Sequence, residues 1–383
     1  MKFSQAVKAV VYFKDSKLDL LTGKKTAYSA SKIINKLDNY DLKQTYRKPV
    51  VFHLFYEFGH LLQGNLEKIK EDDILMIEIH YGFAKDFRHS FDKAYSKGLQ
   101  LRPSQKKISF NEYKKVFKKC YEYLLDGDCY QLNLTFPSLF SFNEGVGPED
   151  FLEYLWKNVR NIGEYAHGTW LGPLDSFYLS NTPECLFQIK KKEKNFNLYS
   201  MPIKGSLKNE GTEFLNESWK KLKNSKKDEG ELFMIADMLR NDLSSIEKPV
   251  AKIVKKKSLL EVPGIIHQYS LLSVDLDYKV HLGQIIRSLF PGGSITGAPK
   301  KRVMDLLYSL ESEQSRGFYC GSTIILHESL LASSINIRSA EVFFGKRLLK
   351  YSSGSGLTLL SNALEEYEEL KLKEQSFMNL LQT

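Results

Sequence analysis

The chain has 383 residues, 42% of them hydrophobic and 26% charged, enough apolar material for one large domain or two ordinary ones. No apolar run is long enough to span a bilayer, and Met1-Lys2-Phe3-Ser4-Gln5 lacks the apolar run and cleavage site of a secretory leader, so a cytoplasmic protein with no membrane partner is expected. The net charge is +9, but Lys190-Lys191-Lys192 and Lys255-Lys256-Lys257 are scattered runs at turns or strand ends with no nucleic-acid signature beside them; no nucleic-acid partner is expected, and the mild positive field suits a small dianion.

In chain order, 50–56 and 73–80 read as strands, rich in β-branched and aromatic residues. Residues 109–125 read as a helix, because Phe110, Tyr113, Val116, Phe117, Cys120, Tyr121 and Leu124 recur at three- and four-residue steps. Asp126-Gly127-Asp128 ends it, and 130–136 then alternates like a strand. A short helix is predicted over 151–159, then strands over 176–179 and 185–189 around the turn Asn181-Thr182-Pro183-Glu184, with 196–200 pairing as a hairpin with the latter. Helices follow over 212–223 and 228–243, and two more over 280–289 and 300–310 flank a glycine-rich turn. Residues 323–327, 334–344 and 348–352 read as consecutive antiparallel strands, and a last helix starts near 364. Hairpins alternating with long helices make the class α+β. With no repeat and no low-complexity linker, one compact unit is expected: residues 1–105, which carry no readable motif, packed into the same domain as a catalytic core over 106–383.

Chemistry concentrates in a few places. In Met201-Pro202-Ile203-Lys204-Gly205-Ser206 a lysine sits between a proline-stiffened extended segment and a glycine, a context that suits a side chain projected into a pocket. Asp228-Glu229-Gly230-Glu231 opens a helix, where acids suit the dipole. Glu366 and Glu369 share a face of the last helix, as an exposed acidic face or as part of a site. Glutamates from these two helices could together hold Mg²⁺, which takes few carboxylates, several waters and an anionic substrate oxygen. Pro291-Gly292-Gly293-Ser294-Ile295-Thr296-Gly297-Ala298-Pro299-Lys300 is an anion-binding loop or a plain turn; it matches neither a Walker A loop nor the dinucleotide fingerprint. Tyr351-Ser352-Ser353-Gly354-Ser355-Gly356-Leu357 likewise offers bare amides to a carboxylate or is a flexible turn. Arg338, in the strand-like run 334–340, needs a core ion pair or a bound carboxylate. His267 alone reads as a packed histidine. The four cysteines, Cys120, Cys129, Cys185 and Cys320, form no C-x-x-C pair and read as packed thiols.

Taken in this order over 127–373, these pieces resemble the chorismate-binding family: anthranilate synthase large subunits, aminodeoxychorismate synthase component I, and the isochorismate and salicylate synthases. The resemblance implies two antiparallel sheets packed as a sandwich, with helices outside and the active site in the central cleft. It implies Mg²⁺ on the ring carboxylate of chorismate, held at positions matching Glu231 and Glu369, with Glu366 near the metal through water. Lys373 matches a lysine near the substrate carboxylate. Arg338 and Tyr319 match residues that hold the pyruvyl carboxylate, helped by backbone around Gly354 and Gly356. His267 and Thr296 match residues near the ring carboxylate and the departing hydroxyl, and Glu184 matches the general acid. The chemistry agrees: hydroxide is a poor leaving group and must be protonated as its bond breaks, while a metal withdraws charge from the dienyl system.

Within the family, Lys204 is the deciding residue. The Pro-Ile-Lys-Gly form resembles the aminodeoxychorismate branch, Gln131 stands where the aminating branch has glutamine, and anthranilate synthases usually have alanine at the position of Lys204. This implies a lysine that attacks ring carbon 2 and expels the 4-hydroxyl, after which ammonia attacks carbon 4 and expels the lysine. An ordinary lysine, with a pKa near 10.4, is neutral in only about one molecule per thousand or fewer at pH 7, so burial or a neighbouring cation must lower that value. The family's Ser-Pro-Glu is Thr182-Pro183-Glu184 here and its Lys-Gly-Thr is Lys204-Gly205-Ser206; both keep a hydroxyl. The N-terminal third matches poorly, and without a Leu-Leu-Glu-Ser element tryptophan feedback is not expected. The expected activity is conversion of chorismate and ammonia to 4-amino-4-deoxychorismate for 4-aminobenzoate and folate biosynthesis. Ammonia is expected from a separate glutaminase subunit in a heterodimer, and pyruvate loss from a separate aminodeoxychorismate lyase. The alternatives are anthranilate synthase component I and a catalytically dead chorismate binder or basic scaffold.

Overall fold

The structure is a computed structural model and describes every residue except 1, 4, 44–45, 83, 86–97, 157–161, 209–210, 212, 248–249, 263–264, 329 and 383. The predicted helix ends at 157–159 and 212, and Pro263-Gly264 before His267, therefore lie outside the described residues. The N-terminal part forms β1 (Lys2–Phe3), β2 (Ala6–Tyr12), β3 (Ser16–Asp19), β4 (Lys25–Ala27), α1 (Ala30–Asp38), β5 (Val50–Leu54), α2 (Phe58–Leu62), β6 (Met76–Tyr81), β7 (Ala84–Lys85) and β8 (Leu101–Pro103). Then come α3 (Phe110–Leu125), β9 (Gln131–Phe142), α4 (Pro148–Trp156), β10 (His167–Leu171), β11 (Ser176–Ser180), β12 (Cys185–Lys191), β13 (Phe196–Ser200) and β14 (Ile203–Lys208). Next are α5 (Leu215–Asn224), α6 (Lys226–Ile246), β15 (Lys252–Val262), β16 (Ile265–Leu276), α7 (Leu282–Leu289), α8 (Gly293–Thr296), β17 (Gly297–Ala298) and α9 (Lys300–Leu310). The chain closes with β18 (Ser322–His327), β19 (Leu330–Ser334), β20 (Ser339–Phe343), β21 (Leu348–Leu357) and α10 (Ala363–Gln382).

Periodicity and caps explain the helices. In α3, Tyr113, Phe117, Cys120 and Leu124 are buried along one stripe, and the Ser109 and Glu112 side chains cap each other's backbone amides in a reciprocal box. The strands assemble into a 12-stranded sheet, β14-β16-β13-β12-β19-β18-β5-β6-β2-β3-β4 with β15 on β16, and a 7-stranded sheet, β10-β11-β20-β21-β9-β17 with β8 on β9. Alternation along each strand then sorts side chains into layers. Ala9, Val11, Ile77 and Ile79 of the larger sheet pack against Leu171 and Tyr178 of the smaller one. On the far side, Val10, Phe52 and Leu54 pack under α1, α6 and α7. The smaller sheet is covered outside by Phe151 and Leu155 of α4 and Phe377 and Leu381 of α10, and by α3 and α9 over Leu132 and Leu134. The result is the expected α+β sandwich with helices outside. Register ties β5 directly to β18, with His53 opposite Thr323. All four cysteines are buried and free. Among the described residues no helix is long and apolar enough to cross a membrane.

The structure differs from the sequence reading at the sheet-to-sheet crossings. The segment 181–184 is not a turn between neighbouring strands: β11 lies in the small sheet and β12 in the large one. The predicted strand 334–344 is likewise two strands, β19 in the large sheet and β20 in the small one. The two crossings run side by side, because β11 pairs β20 with Ser180 opposite Ser339, and β12 pairs β19 with Cys185 opposite Ser334. Between them, the Asn181 amide donates to the Arg338 carbonyl (3.0 Å) and the Ile335 amide to the Glu184 carbonyl (3.0 Å). The Thr182 hydroxyl donates to the Ile335 carbonyl at 2.6 Å. Arg338 is thus not a strand residue; it sits at φ +49°, a backbone conformation uncommon for a side-chain-bearing residue. Residues 351–357 are no turn either, but the end of β21, paired with β9 along its whole length.

Candidate active site

Lys204 owes its direction to a bulge. In β14, Lys204 pairs with Gln268 and Ser206 with His267, so the register slips across Gly205, which takes φ +74°. An extra residue with a left-handed glycine bends a strand and re-aims its neighbours. Lys204 projects toward β21, where Gly356 makes room: a Cβ there would stand 2.8 Å from Lys204 Nζ. The same point is 3.2 Å from Gln131 Nε2, and both polar atoms of that buried amide lack a partner among the described residues. Lys204 and Gln131 therefore meet at one spot at the foot of the cleft.

A cleft with about 900 Å³ of space between atoms, part of it open to solvent, lies here between the sheets. Every site residue expected from the sequence lines it except Thr296. Thr296 is fully buried and its hydroxyl donates to the Gly292 carbonyl at 2.9 Å, closing its own short helix. Ser294, on the same turn, reaches the wall instead and donates to Glu184 Oε1 at 2.7 Å.

The electrostatics divide the cleft into parts. Glu184 is 3% exposed; burial drives its pKa up, the Ser294 hydrogen bond and Lys204 pull it partly back, and it ends pushed up to about 7. The carboxyl can thus carry a proton near neutrality. Lys204 is moved the other way: burial lowers its pKa, Lys373 adds to that, and Glu231, Glu184 and Glu369 oppose it. His267 is neutral, held down to about 3 by burial and by Arg338. Its Nδ1 lies 3.1 Å from the Gly205 carbonyl and its Nε2 3.5 Å from Arg338 Nη2. A carbonyl only accepts and a guanidinium only donates, so the proton is on Nδ1. Arg338 is 7% exposed, and its other partner is the Ser376 hydroxyl at 3.2 Å. A buried guanidinium with only neutral partners is costly unless an anion joins it. Tyr319 lies beside it on the wall, its phenol held in the neutral form by burial.

The acidic end is built from α6 and α10. Glu231 is buried and its Oε1 has no partner among the described residues; burial pushes its pKa up to about 7. Glu369 stands 3.1 Å from Lys373; burial works against its ionisation, but Lys373 prevails and its pKa is lowered. Lys373 also donates to the Gly354 carbonyl at 2.8 Å. Glu366 is already satisfied: Lys227 (2.9 Å) and Ser361 (2.8 Å) donate to Oε1, and Ser355 (2.6 Å) to Oε2. Among the described residues no three acidic, histidine or cysteine side chains gather into a complete protein-only metal cage. An orphaned carboxylate oxygen and a second carboxylate lining the same cleft fit Mg²⁺, which keeps waters and takes substrate oxygens. Glu366, with its oxygens occupied, fits a supporting position behind them.

Asn133, Lys227 and Ser294 line the cleft and went unread in the sequence. Two of them leave a signal. Gln131, Asn133 and Thr135 form a polar stripe at period two on the part of β9, 131–135, that is buried without a break, which implies a polar cleft on one face. Lys227 stands in the first turn of α6, where a cation opposes the helix dipole and therefore calls for an acid such as Glu366.

The chain was compared with known proteins on this basis. The family model for chorismate binding enzymes matches residues 5–379, beyond the 127–373 stretch that carries the motifs and including the N-terminal third. Aminodeoxychorismate synthase component 1 of Escherichia coli (strain K12) is 29% identical over 369 residues, covering 87% of this chain and 78% of that protein. The protein of the same name from Salmonella typhimurium is 32% identical over 261 residues, covering 67% of this chain and 55% of that protein, so this chain spans little more than half of that relative. Anthranilate synthase component I from Streptococcus pneumoniae superposes with a TM-score of 0.75 over 98% of this chain and 91% of that one, at 17% identity, a likeness of fold. With a family match over nearly its whole length and a cleft built from the family's motif positions, the chain belongs to the chorismate-binding enzymes.

Proposed function

We propose that this chain is the aminating component of an aminodeoxychorismate synthase, converting chorismate and ammonia to 4-amino-4-deoxychorismate for 4-aminobenzoate and folate biosynthesis. The observation that carries the reading is Lys204: a half-buried amine on the cleft wall with no ion pair or hydrogen bond among the described residues, in the same cleft as a carboxyl whose pKa is pushed up to about 7. The names of the two bacterial relatives support it.

In this reading Arg338, Tyr319 and the backbone at Gly354 take the pyruvyl carboxylate, with Lys373 and His267 near the two carboxylate ends. Neutral Lys204 Nζ adds to ring carbon 2, both ring double bonds shift one position around the ring, and the carbon 4–oxygen bond breaks. Glu184 gives its proton to the departing oxygen, which leaves as water. Ammonia then adds to carbon 4 with the reverse shift, and Lys204 leaves with its electron pair as a neutral amine. The new ammonium group returns a proton to Glu184. Glu231 and Glu369 would hold Mg²⁺, with Glu366 behind them; when bound, the ion supplies Lewis-acid polarisation of the ring carboxylate. Ammonia would come from a separate glutaminase subunit, as the relatives' designation "component 1" supports, and the product would pass to a separate lyase.

The test is intact-mass analysis of protein given chorismate and Mg²⁺ without ammonia. An adduct that Lys204→Ala lacks is expected; none under turnover-competent conditions would overturn the covalent step. With ammonium added, the product should yield 4-aminobenzoate only after a lyase is supplied. Fluorescent anthranilate with direct pyruvate release would overturn the reading, and glutamine-dependent turnover by the pure chain would overturn the separate subunit.

A further inference from the structure

We infer that Arg316, which does not line the cleft, is a positioning residue for the proton donor: it fixes the turn that presents the Ser294 hydroxyl to Glu184. Arg316 is 5% exposed and its guanidinium is fully committed. Nε donates to Glu311 Oε2 (2.9 Å) and Nη2 to Glu311 Oε1 (2.7 Å), a two-pronged ion pair. Nη2 also donates to the Asn133 carbonyl (2.7 Å) and Nη1 to the Ile295 carbonyl (3.1 Å). The plane lies over Tyr56, 4.4 Å from the ring centroid. Glu311 is committed in turn, accepting from the Thr135 amide and hydroxyl, both at 2.9 Å.

These bonds join strand β9 to the glycine-rich turn. The far end of that turn is already sewn to β9, with Gly297 opposite Leu132. Its near end, Ser294-Ile295, has the Arg316 bond to the Ile295 carbonyl as its tie on the inner side. Ser294 is the residue before that carbonyl, and its hydroxyl is the one that reaches Glu184. A buried ion pair adds little net stability over apolar packing, but a planar fork fixing two carbonyls from different elements fixes their separation. Lysine, a single point donor, cannot span both.

The consequence is a proton affinity. A hydroxyl donating to Glu184 favours the ionised carboxylate, so losing that bond raises the pKa and moves the alkaline limb of the rate profile upward. The charged and titratable groups that bear on Glu184 are Lys204 on β14, Lys373 on α10 and the neighbouring Cys185 thiol, and none of them touches Arg316. The inference rests on Glu184 as the general acid.

The experiment is a cycle of Ser294→Ala, Arg316→Lys and the double variant, reading kcat, the pH profile of kcat/KM and the chorismate dissociation constant. Each single variant should move the alkaline limb upward and lower kcat by about tenfold or more, with chorismate binding changed less than about threefold. In the Ser294→Ala background, Arg316→Lys should change kcat by less than about twofold, because the two act through one bond. An unmoved limb in Arg316→Lys, or losses that multiply in the double variant, would overturn the inference and leave Arg316 a folding residue. Glu311→Gln, which keeps the shape and removes the charge, should show the same upward movement in smaller degree, and its absence counts equally against the inference. Glu184→Gln separates the two readings: if it retains kcat, the general acid is wrong whatever Arg316 does.

Discussion

Two buried clusters of charge in this molecule use the same residue types to opposite ends. On the outer face of β6, fully buried Glu78 accepts from Lys8 (2.6 Å), Tyr12 (2.6 Å) and Tyr40 (2.6 Å), with His80 at 2.7 Å and Lys36 at 3.2 Å. Burial opposes its ionisation, yet the hydrogen bonds from His80, Lys8, Tyr12 and Tyr40 prevail and hold its pKa well below the carboxylate range. In the cleft, among the described residues, Glu231 keeps an orphaned oxygen and Arg338 has only neutral partners, and the carboxyls of Glu184 and Glu231 are pushed up to about 7. The first cluster is closed by the protein itself. The second is closed only when something else enters, and that contrast separates a structural network from a site more sharply than burial or charge alone.

The largest effect expected from this contrast is on turnover. Lys204→Ala should lower kcat on the order of 10⁴-fold while leaving thermal stability unchanged or improved, since it removes a half-buried amine that has no ion pair or hydrogen bond among the described residues. A loss of stability matching the loss of activity would place Lys204 with the closed cluster instead. Next come paired losses of opposite kind. Glu78→Gln should destabilise by about 3–5 kcal/mol, because it strips the anion from its cations, and leave the chorismate dissociation constant unmoved. Arg338→Met should weaken chorismate binding by roughly 2–5 kcal/mol and leave the free protein as stable as before. Denaturant titration and calorimetry on both variants would break the comparison if the two effects traded places.

The clusters also answer pH in opposite directions. Glu184 and Glu231 have folded pKa values of about 7, above the ordinary value near 4.3. The folded state therefore binds more protons between these values, and stability from this pair is lost as pH rises from about 4.3 to 7. Glu78 has a lowered folded pKa, so its contribution is present above the ordinary value and lost as the solution turns acid. Melting curves across pH 2 to 8 should part from the parent toward the alkaline side with opposite signs: Glu184→Gln/Glu231→Gln should melt above the parent as pH rises to 7 and beyond, whereas Glu78→Gln should melt below it at neutral pH and rejoin it only in acid. A smaller effect is expected from the metal: Mg²⁺ at 100 times its dissociation constant should stabilise the free chain by about 2.7 kcal/mol, and Glu231→Gln should abolish this. The smallest is Ser109→Ala, which removes the α3 cap at a cost of about 1 kcal/mol and should alter neither cluster.

Much of the fold was legible. The stripe of α3 with its Ser109 cap, and α9 behind the glycine-rich turn, carry strong local signals that tertiary packing reinforces. β15 went unread because Lys-Ile-Val-Lys-Lys-Lys-Ser-Leu-Leu-Glu-Val has no clean alternation, and it slips register twice against β16. The crossing at 181–184 was misread because asparagine and proline mark any change of direction, and that at 335–338 because Ile335 and Ile337 alternate as they would within one strand. Whether the next strand joins the same sheet or the facing one depends on partners far along the chain. Of the site, the positions of Glu184, Lys204, Glu231 and Glu369 were legible through resemblance. Arg316 was not, because the bonds that tie it to the site end on the Ile295 and Asn133 backbone carbonyls, which no sequence pattern displays.

The paired crossings also bear on how far this scaffold can drift. Glu184 and Arg338 lie on the two segments that step between the sheets, and those segments are hydrogen-bonded to each other at both ends. Their spacing is thus gauged by a short two-strand bridge, not by the loops, helices or sheet edges around it. Substitutions elsewhere can accumulate without moving the acid relative to the arginine. That tolerance is consistent with a TM-score of 0.75 surviving at 17% identity, and it marks residues 181–184 and 335–338 as the stretch where an insertion of a single residue would do the most harm.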